Sequence, residues 1–426
     1  MHTIETHDKK RLLGNFASLS VLQAANYVLP FVTVPYLTRV LGPAHYGLIG
    51  FAAAFVNYFT ILTGYGFNLS ATREISLKRD DRERVSTIFS SVMIIRSALL
   101  VASAVLVLAV VYSVDKFRAD AGVYLVSFGI VAGNVLFPVW LYQGMERMKY
   151  ITYINLAGRA ALTAAVFMFV SEQADFMLYV ILSSATAVLV GVASLVCALK
   201  VFRLRFVAPS FEELRRETVE GWYVFVSSIS IVLYTSSTTF VLGLFTNNTI
   251  VGYYTGADKI RQAVQGLFTP VFQTLYPYVN KLAHESRERA IAFMRKEALY
   301  FGVVGGLVCL LVFAGAKLLV GIVLGGEYAP SVALLRILAF APVLIILGNV
   351  LTVQGMLSLN LKRDYSLVFV CAGIVGIAAI VYLTHRFAAR GTALSVVIVE
   401  AFAIAMTLYR MRANGVSFFG ARGSGT

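Results

Sequence analysis

About twelve stretches of this chain, about 19 to 28 residues long, are predominantly apolar. They fall at roughly 12–38, 45–66, 86–112, 121–142, 150–170, 176–199, 220–243, 250–277, 297–324, 331–357, 366–384 and 392–410. A segment of that length crosses the apolar core of a bilayer as a helix. The pattern therefore predicts an all-α polytopic membrane protein of about 12 transmembrane helices. Composition agrees: 58% of residues are hydrophobic, 14% are charged and the mean hydropathy is +0.78. A net charge of +14 would suggest nucleic acid in a soluble chain. Here it reflects basic inner loops, so no nucleic-acid partner is expected. Cys197, Cys309 and Cys371 lie in apolar segments with no disulfide or metal spacing, which makes them packing residues.

Orientation follows from Lys and Arg. With the N-terminus inside, 25 of the 36 basic residues fall in inner segments and 5 in outer loops. The remainder lie within spans. That bias places both termini in the cytoplasm. Trp140 and Trp222 fall at inner span ends, where an aromatic belt is expected. The polar start Met1–Arg11 leads into a long apolar run, which reads as a retained first span and not as a signal peptide. No lipidation motif is evident at either end.

The chain contains a weak internal repeat. Two apolar segments, a short turn and a basic loop occur at Pro30–Arg84 and again at Tyr234–Glu288. The first turn reads Leu41-Gly42-Pro43-Ala44-His45-Tyr46-Gly47, and the second runs from Asn247 to Tyr254. Placing Gly47 on Gly252 sets an offset of 205 residues, about half the chain. Repeated membrane halves are a mark of transporters, with the substrate path between them. The expected organisation is a six-helix N-terminal half over 1–199, a cytoplasmic linker over 200–219, a six-helix C-terminal half over 220–412 and a polar tail over 413–426. Ser210 and Glu213 have capping-box spacing, which predicts a short surface helix over Phe211–Val219.

Ionisable groups at membrane depth cost at least a few kcal/mol and normally face a cavity or a partner. Arg96 and Arg159 lie near the middle of spans three and five, and Asp258, Lys259 and Arg261 lie well inside span eight. Each is a candidate for a polar cavity, against the plainer reading that Asp258 and Lys259 neutralise neighbouring helices. Glu400, in the last span, reads as structural, and Lys317 and Arg336 as snorkelling to the outer interface. Asp258, Gln262 and Gln265 share a helix face, which Gln273 extends, and Pro270 and Pro277 interrupt that span. Span one is similar, with Gln23 and Asn26 leading to Pro30, Thr33 and Pro35. Broken helices with polar faces at the start of each half suit a moving gate. Ordinary interhelical hydrogen bonding is the plainer reading of each Gln or Asn.

Catalytic signals are weak. Asp80-Asp81 sits among Lys78, Arg79, Arg82 and Arg84 and reads as a solvated charge cluster. No His pair has metal-ligand spacing, and no Walker A motif is present. No cofactor, metal or catalytic residue is therefore expected, and the chain does not read as an enzyme.

These features coincide with a family resemblance. Pro35-Tyr36-Leu37, Leu41-Gly42-Pro43 with Tyr46-Gly47, Gly64-Tyr65-Gly66 and Arg73-Glu74-Ile75 carry it in the first half. Gln143-Gly144-Met145-Glu146, Glu220-Gly221-Trp222, Val251-Gly252-Tyr253-Tyr254 with Asp258-Lys259, and Tyr276-Pro277 continue it. In this order and spacing the chain resembles the O-antigen and exopolysaccharide flippases. These form the polysaccharide-transporter branch of the superfamily that includes the multidrug MATE exporters and the lipid II flippases. The resemblance implies two pseudo-symmetric six-helix bundles around a central cationic cavity. It implies a bacterial inner-membrane protein that moves an undecaprenyl-diphosphate-linked oligosaccharide from the inner to the outer leaflet by alternating access, coupled to a gradient of protons or sodium ions. A polysaccharide polymerase and a chain-length regulator are the implied partners, with membrane lipids around the chain.

On that resemblance Arg96, Arg159, Lys259 and Arg261 are the substrate-binding cations. Arg96 and Arg159 would hold the diphosphate, and Asp258 would carry a proton or pair with Lys259. The gate would comprise Gln23, Asn26, Pro35, Gln262, Gln265 and Pro270, with hinges near Pro35 and Pro270. A cationic cavity suits such a substrate because charge-assisted bonds replace the hydration of phosphate. Two other readings stay open. A multidrug or small-cation exporter would favour acidic and aromatic cavity residues. A membrane-embedded polysaccharide polymerase would favour a long outer loop or a catalytic acidic cluster.

Overall fold

The computed structural model describes the backbone of residues 2–416 and 418, and the side chains from Val32 onward except 223–224, 227–236, 273 and 417. Among the described residues every regular element is helical. Eight helical stretches among the described residues are long and apolar enough to cross a membrane. Some of them hold two of the expected spans. Lys362–Ala413 runs for 52 residues but breaks at Ala388 (φ 47°, ψ −133°). Residues eight apart on a straight helix would be about 12 Å apart. Here the Thr384 and Thr392 hydroxyls hydrogen-bond at 2.8 Å, so the chain doubles back.

His2–Gly64 also holds two expected spans, and its break comes at Gly42 (φ 68°, ψ 172°). The expected hinge at Pro35 is not a break: the helix keeps its dihedrals through that residue. The cause lies in Gly42-Pro43. Proline disfavours the α region for the residue before it, and glycine alone enters the left-handed region freely. Span eight does break near Pro270, between the helices Asn248–Gly266 and Thr269–Glu285. Pro270 sits in the first turn of the second helix, where its missing N–H is no loss.

The chain forms two compact units: residues 1–41 with 49–229, and residues 42–48 with 230–426. In the first unit the core gathers Phe67, Ile75, Ile88, Trp140, Leu141 and Tyr142. Trp140 is fully buried, so it is not a belt residue. Span four is in three pieces, and after Pro138 the short helix Val139–Gly144 tucks Trp140 inward against Phe89. Trp222 is half exposed. Elsewhere in this unit two helices touch through glycine. A Cβ on Gly133 would stand 2.3 Å from the Ala187 carbonyl oxygen, and one on Gly191 would stand 2.4 Å from the Gly133 oxygen. Membrane helices without a hydrophobic force between them associate through such small residues.

The central connection is fastened to the first unit. The helix Phe211–Phe245 opens with a reciprocal capping box: the Ser210 N–H donates to Glu213 Oε2 (3.0 Å) and the Glu213 N–H to Ser210 Oγ (3.2 Å). It continues into span seven without interruption. Just before it, the backbone N–H groups of Arg205 and Val207 donate to Ser86 and Ser90 on the helix Arg82–Ser113. Arg84 bridges Glu74 (3.0 Å) and Glu213 (3.2 Å), and Arg216 contacts Glu217 (3.2 Å) and Glu74 (3.7 Å).

Glu217 is 2% exposed. Burial pushes its carboxyl up to about 8, nearby Glu74 pushes the same way, and Arg216 pulls against them. A free glutamate titrates near 4.3. The carboxyl is thus protonated when folded and ionised when unfolded across the window between these values. The clasp stabilises fully below the unfolded pKa and loses that contribution as pH rises toward 8. Melting of the purified protein should therefore shift down between pH 6 and pH 8.5, and Glu217→Gln should flatten that slope. An unchanged slope in the variant would remove Glu217 as its cause.

In the second unit the core gathers Val279, Met294, Ile346, Val350, Met356 and Met411. The first repeat turn, 42–48, packs here on the second. A Cβ on Gly47 would lie 1.8 Å from the Asn248 carbonyl oxygen, and one on Gly252 would lie 1.9 Å from the Pro43 oxygen. The two glycines matched by the repeat thus cross backbone on backbone. Gly252→Ala must move main chain, not a flexible side-chain end. It should cost about 1–3 kcal/mol, in the range of overpacked cores. A melting curve of the variant matching wild type would show that the crossing is looser than this.

Candidate functional site

A polar cluster lies inside the second unit on the helix Asn248–Gly266. Asn247 starts that helix, its side-chain oxygen accepting the Ile250 N–H at 3.0 Å. Eleven residues along lies Asp258, about 15 Å from the helix start. Helical spacing then places Arg261, Gln262 and Gln265 beside it. Arg261 Nε donates to Asp258 Oδ1 (2.6 Å) and Gln262 Nε2 to Asp258 Oδ2 (2.6 Å). Arg261 Nη1 donates to Gln265 Oε1 (2.7 Å). Both carboxylate oxygens are thus occupied, while among the described residues two of the guanidinium's five donors are engaged. The cluster opens on a cavity of about 250 Å³ that Thr238, Tyr254, Ser395 and Glu400 also line. Gln265 reaches a second cavity of about 420 Å³, bounded by Thr269, Phe272, Tyr276 and Asn349.

This placement differs from the expected one in three respects. Asp258 pairs with Arg261 and not with adjacent Lys259, because residues one apart on a helix do not face each other. Lys259 is exposed. Glu400 joins the Asp258 cavity, although its place in the last span read as structural. The fold-back at Ala388 brings span twelve against span eight's polar face, and no local pattern signals such a contact.

Arg96 takes another position. It is 3% exposed inside the first unit. Its Nε donates to the Thr63 carbonyl (3.2 Å), and its Nη2 to the Asn134 carbonyl (2.9 Å) and side chain (3.2 Å). A longer contact reaches the Phe137 carbonyl at 3.5 Å. Thr63 and Asn134 stand at the ends of the helices that close at Gly64 and Leu136. The last carbonyls of a helix lack intrahelical donors and carry partial negative charge. The guanidinium therefore caps two broken helices, and among the described residues no carboxylate is its partner.

Arg159 lies midway along the helix Lys149–Phe169 and is exposed, without a hydrogen bond among the described residues. Of the expected gate residues, Gln262, Gln265 and Pro270 lie on or next to the second-unit cluster. Pro35 lies in the first unit. The side chains of Gln23 and Asn26 lie outside the described residues, as does that of Gln273. Sequence reasoning gave no role to a buried pair in the second unit. Gln354 Nε2 donates to Glu297 Oε1 at 3.0 Å, from the π-helical segment Asn349–Met356. The π-helix changes which side chains face inward, and hydropathy does not report it. Among the described residues no group of acidic, His or Cys side chains has the arrangement of a metal site.

Comparison with known proteins adds the following. The profile of the "Polysaccharide biosynthesis protein" family matches residues 12–283. A protein of Escherichia coli (strain K12) named "Putative O-antigen transporter" is 31% identical over 407 residues, covering 96% of this chain and 98% of that one. The solved structure of the lipid II flippase MurJ in an inward closed conformation superposes with a TM-score of 0.74 at 10% identity, covering 94% of this chain and 87% of that one. An inward-facing multidrug resistance MATE family transporter of the MOP superfamily gives 0.64 at 16% identity, covering 96% and 100%. The chain has the fold of these transporters.

Proposed function

Because the chain belongs to the polysaccharide biosynthesis protein family, we propose that it is a flippase for lipid-linked glycans. The substrate is an oligosaccharide repeat unit on undecaprenyl diphosphate, moved from the inner to the outer leaflet of a bacterial inner membrane. The architecture behind this reading is twelve spans in two six-helix bundles around a central cavity, with both termini cytoplasmic. The mechanism is alternating access, in which no covalent bond is made or broken in the substrate. A polymerase and a chain-length regulator would use the product.

The observation that carries the reading is the half-engaged Arg261 at membrane depth. A guanidinium there must find partners or water. Asp258 and Gln265 hold its plane, and its remaining donors are available to a diphosphate, whose oxygens match a guanidinium fork. Arg159 and Lys259, both exposed, supply further cations for the diphosphate or for sugar hydroxyls. Asp258, with Glu400 in the same cavity, is the site where a proton or sodium ion would couple to movement. Arg96 serves this reading as a brace of the first unit and not as a ligand.

Lipid-linked glycan in a strain lacking this gene tests the proposal, with leaflet sidedness read by membrane-impermeant labelling. Intact repeat units held on the inner leaflet support it. Single units that reach the outer leaflet and fail to lengthen would indicate the polymerase reading, and an unchanged glycan pool would favour the drug exporter.

A further inference from the structure

Three segments that the charge bias places inside converge in the second unit on one polar cavity of about 770 Å³. The first is the end of the helix Thr269–Glu285 with the start of Arg287–Ala314, which supplies Asn280, His284 and Arg287. The second is the turn Leu357–Leu361 with Lys362, and the third is Asn414 after the last span. Among the described residues three basic side chains line the cavity and no carboxylate does.

The surrounding contacts leave donors facing an acceptor-poor space. The turn is closed on itself: Asn360 takes φ 60°, the Leu361 N–H donates to the Met356 carbonyl (2.7 Å), and the Asn360 N–H donates to Leu357 (3.1 Å). That is a Schellman closure, which satisfies the carbonyls ending span ten. Lys362 then begins the next helix with Leu361 at the N-cap, a side chain with no acceptor, so the first-turn N–H groups keep their partial positive charge. Ser358 Oγ donates to Asn280 Oδ1 at 2.6 Å, which leaves the Asn280 amide N–H groups as donors. Arg287 spends one contact on the Asn414 carbonyl (3.3 Å). Nearby carboxylates are committed elsewhere: Asp364 accepts from Arg410 and Asn414, and Glu285 lies 3.9 Å from Lys281.

We propose that this cavity binds the phosphate group of an anionic lipid headgroup at the inner leaflet, held by Arg287 and Lys362 with His284 at the rim. Lysine and arginine recognise phosphate by charge-assisted hydrogen bonds, and three segments that the charge bias places inside bring them to one cavity. The site is separate from the Asp258 cavity. It rests on the proposed function only for the membrane face it occupies.

The test uses the purified full chain and needs no transport. Native mass spectrometry and melting shifts would follow binding of phosphatidylglycerol, of undecaprenyl diphosphate and of inorganic pyrophosphate. In the Arg287→Gln/Lys362→Gln double variant the affinity for the bound phosphate group should fall about tenfold or more. The charge-keeping Arg287→Lys/Lys362→Arg variant should retain most of it. Should the double variant melt early, His284→Gln, at an exposed position, supplies the same comparison with a smaller loss. Tight, variant-sensitive binding of undecaprenyl diphosphate over phosphatidylglycerol would make this a substrate-loading site. The reverse order would make it a site for bulk lipid, and binding of pyrophosphate with neither lipid bound would overturn the lipid assignment. Equal affinity in wild type and double variant, or equal loss in the charge-keeping variant, overturns the proposal. Because none of these readouts is glycan movement, a failed proposal here leaves the flippase reading standing.

Discussion

Arg96→Gln is expected to unfold the first unit, taking glycan export down with protein level. The guanidinium donates to the carbonyls of Thr63 and Asn134, which end two separate helices, and to the Asn134 side chain. A shorter amide cannot reach them all. The buried Thr63 carbonyl left without its donor costs about 1–3 kcal/mol, and the Asn134 carbonyl, which keeps the Phe137 N–H at 3.2 Å, loses a charge-assisted bond of similar size, with no water ready to replace either in a membrane interior. Two such losses amount to a large share of the ~5–15 kcal/mol that holds a typical domain together. Membrane abundance and melting temperature of the variant, measured beside export, check this. Normal abundance with abolished export would return Arg96 to the substrate path and contradict its role as a brace.

Arg261→Gln is expected to do the opposite: near-normal abundance with export down by about ten- to a hundredfold. Charge-assisted hydrogen bonds contribute about 1.5–3 kcal/mol each, and every 1.4 kcal/mol is a factor of ten. The fold loses less here than at Arg96, because Asp258 keeps Gln262 as a partner at 2.6 Å and the cavity gives water access. Asp258→Asn separates two roles. It keeps the Arg261 guanidinium in the cavity but removes a carboxylate able to bind a cation, so substrate binding should survive while gradient-driven movement fails. Full export by Arg261→Gln would move the diphosphate site elsewhere.

Much of the fold is legible from the residues because hydropathy and charge act on every span alike. Apolar runs about twenty residues long predict helices, and the structure is helical throughout the described residues. Ser210 and Glu213 predict a capped helix, and both reciprocal hydrogen bonds are present. The match of Gly47 with Gly252 came from pattern alone, and the two glycines meet where their turns cross. The site is less legible. Depth along a span says that Arg96 is inside the membrane, but not whether it faces a cavity or a helix end. The answer depends on where span four breaks, at Phe137 and Pro138, and on Gly64 ending a helix beside it. Likewise the turn between residues 384 and 392 is expected from the span pattern, but which helix Glu400 faces after that turn depends on packing, and it joins the Asp258 cavity. Trp140 failed for a related reason. Its position in sequence is at a span end, but the short helix that carries it folds inward.

The most direct measurement places the purified protein in sealed vesicles carrying labelled oligosaccharide on undecaprenyl diphosphate, and follows how fast label on one leaflet becomes accessible from the other. The account predicts movement with wild type, movement near the protein-free rate with Arg261→Gln, and dependence on an imposed proton or sodium gradient that Asp258→Asn removes. Wild-type protein that leaves the lipid-linked glycan on its original leaflet under either gradient would contradict it.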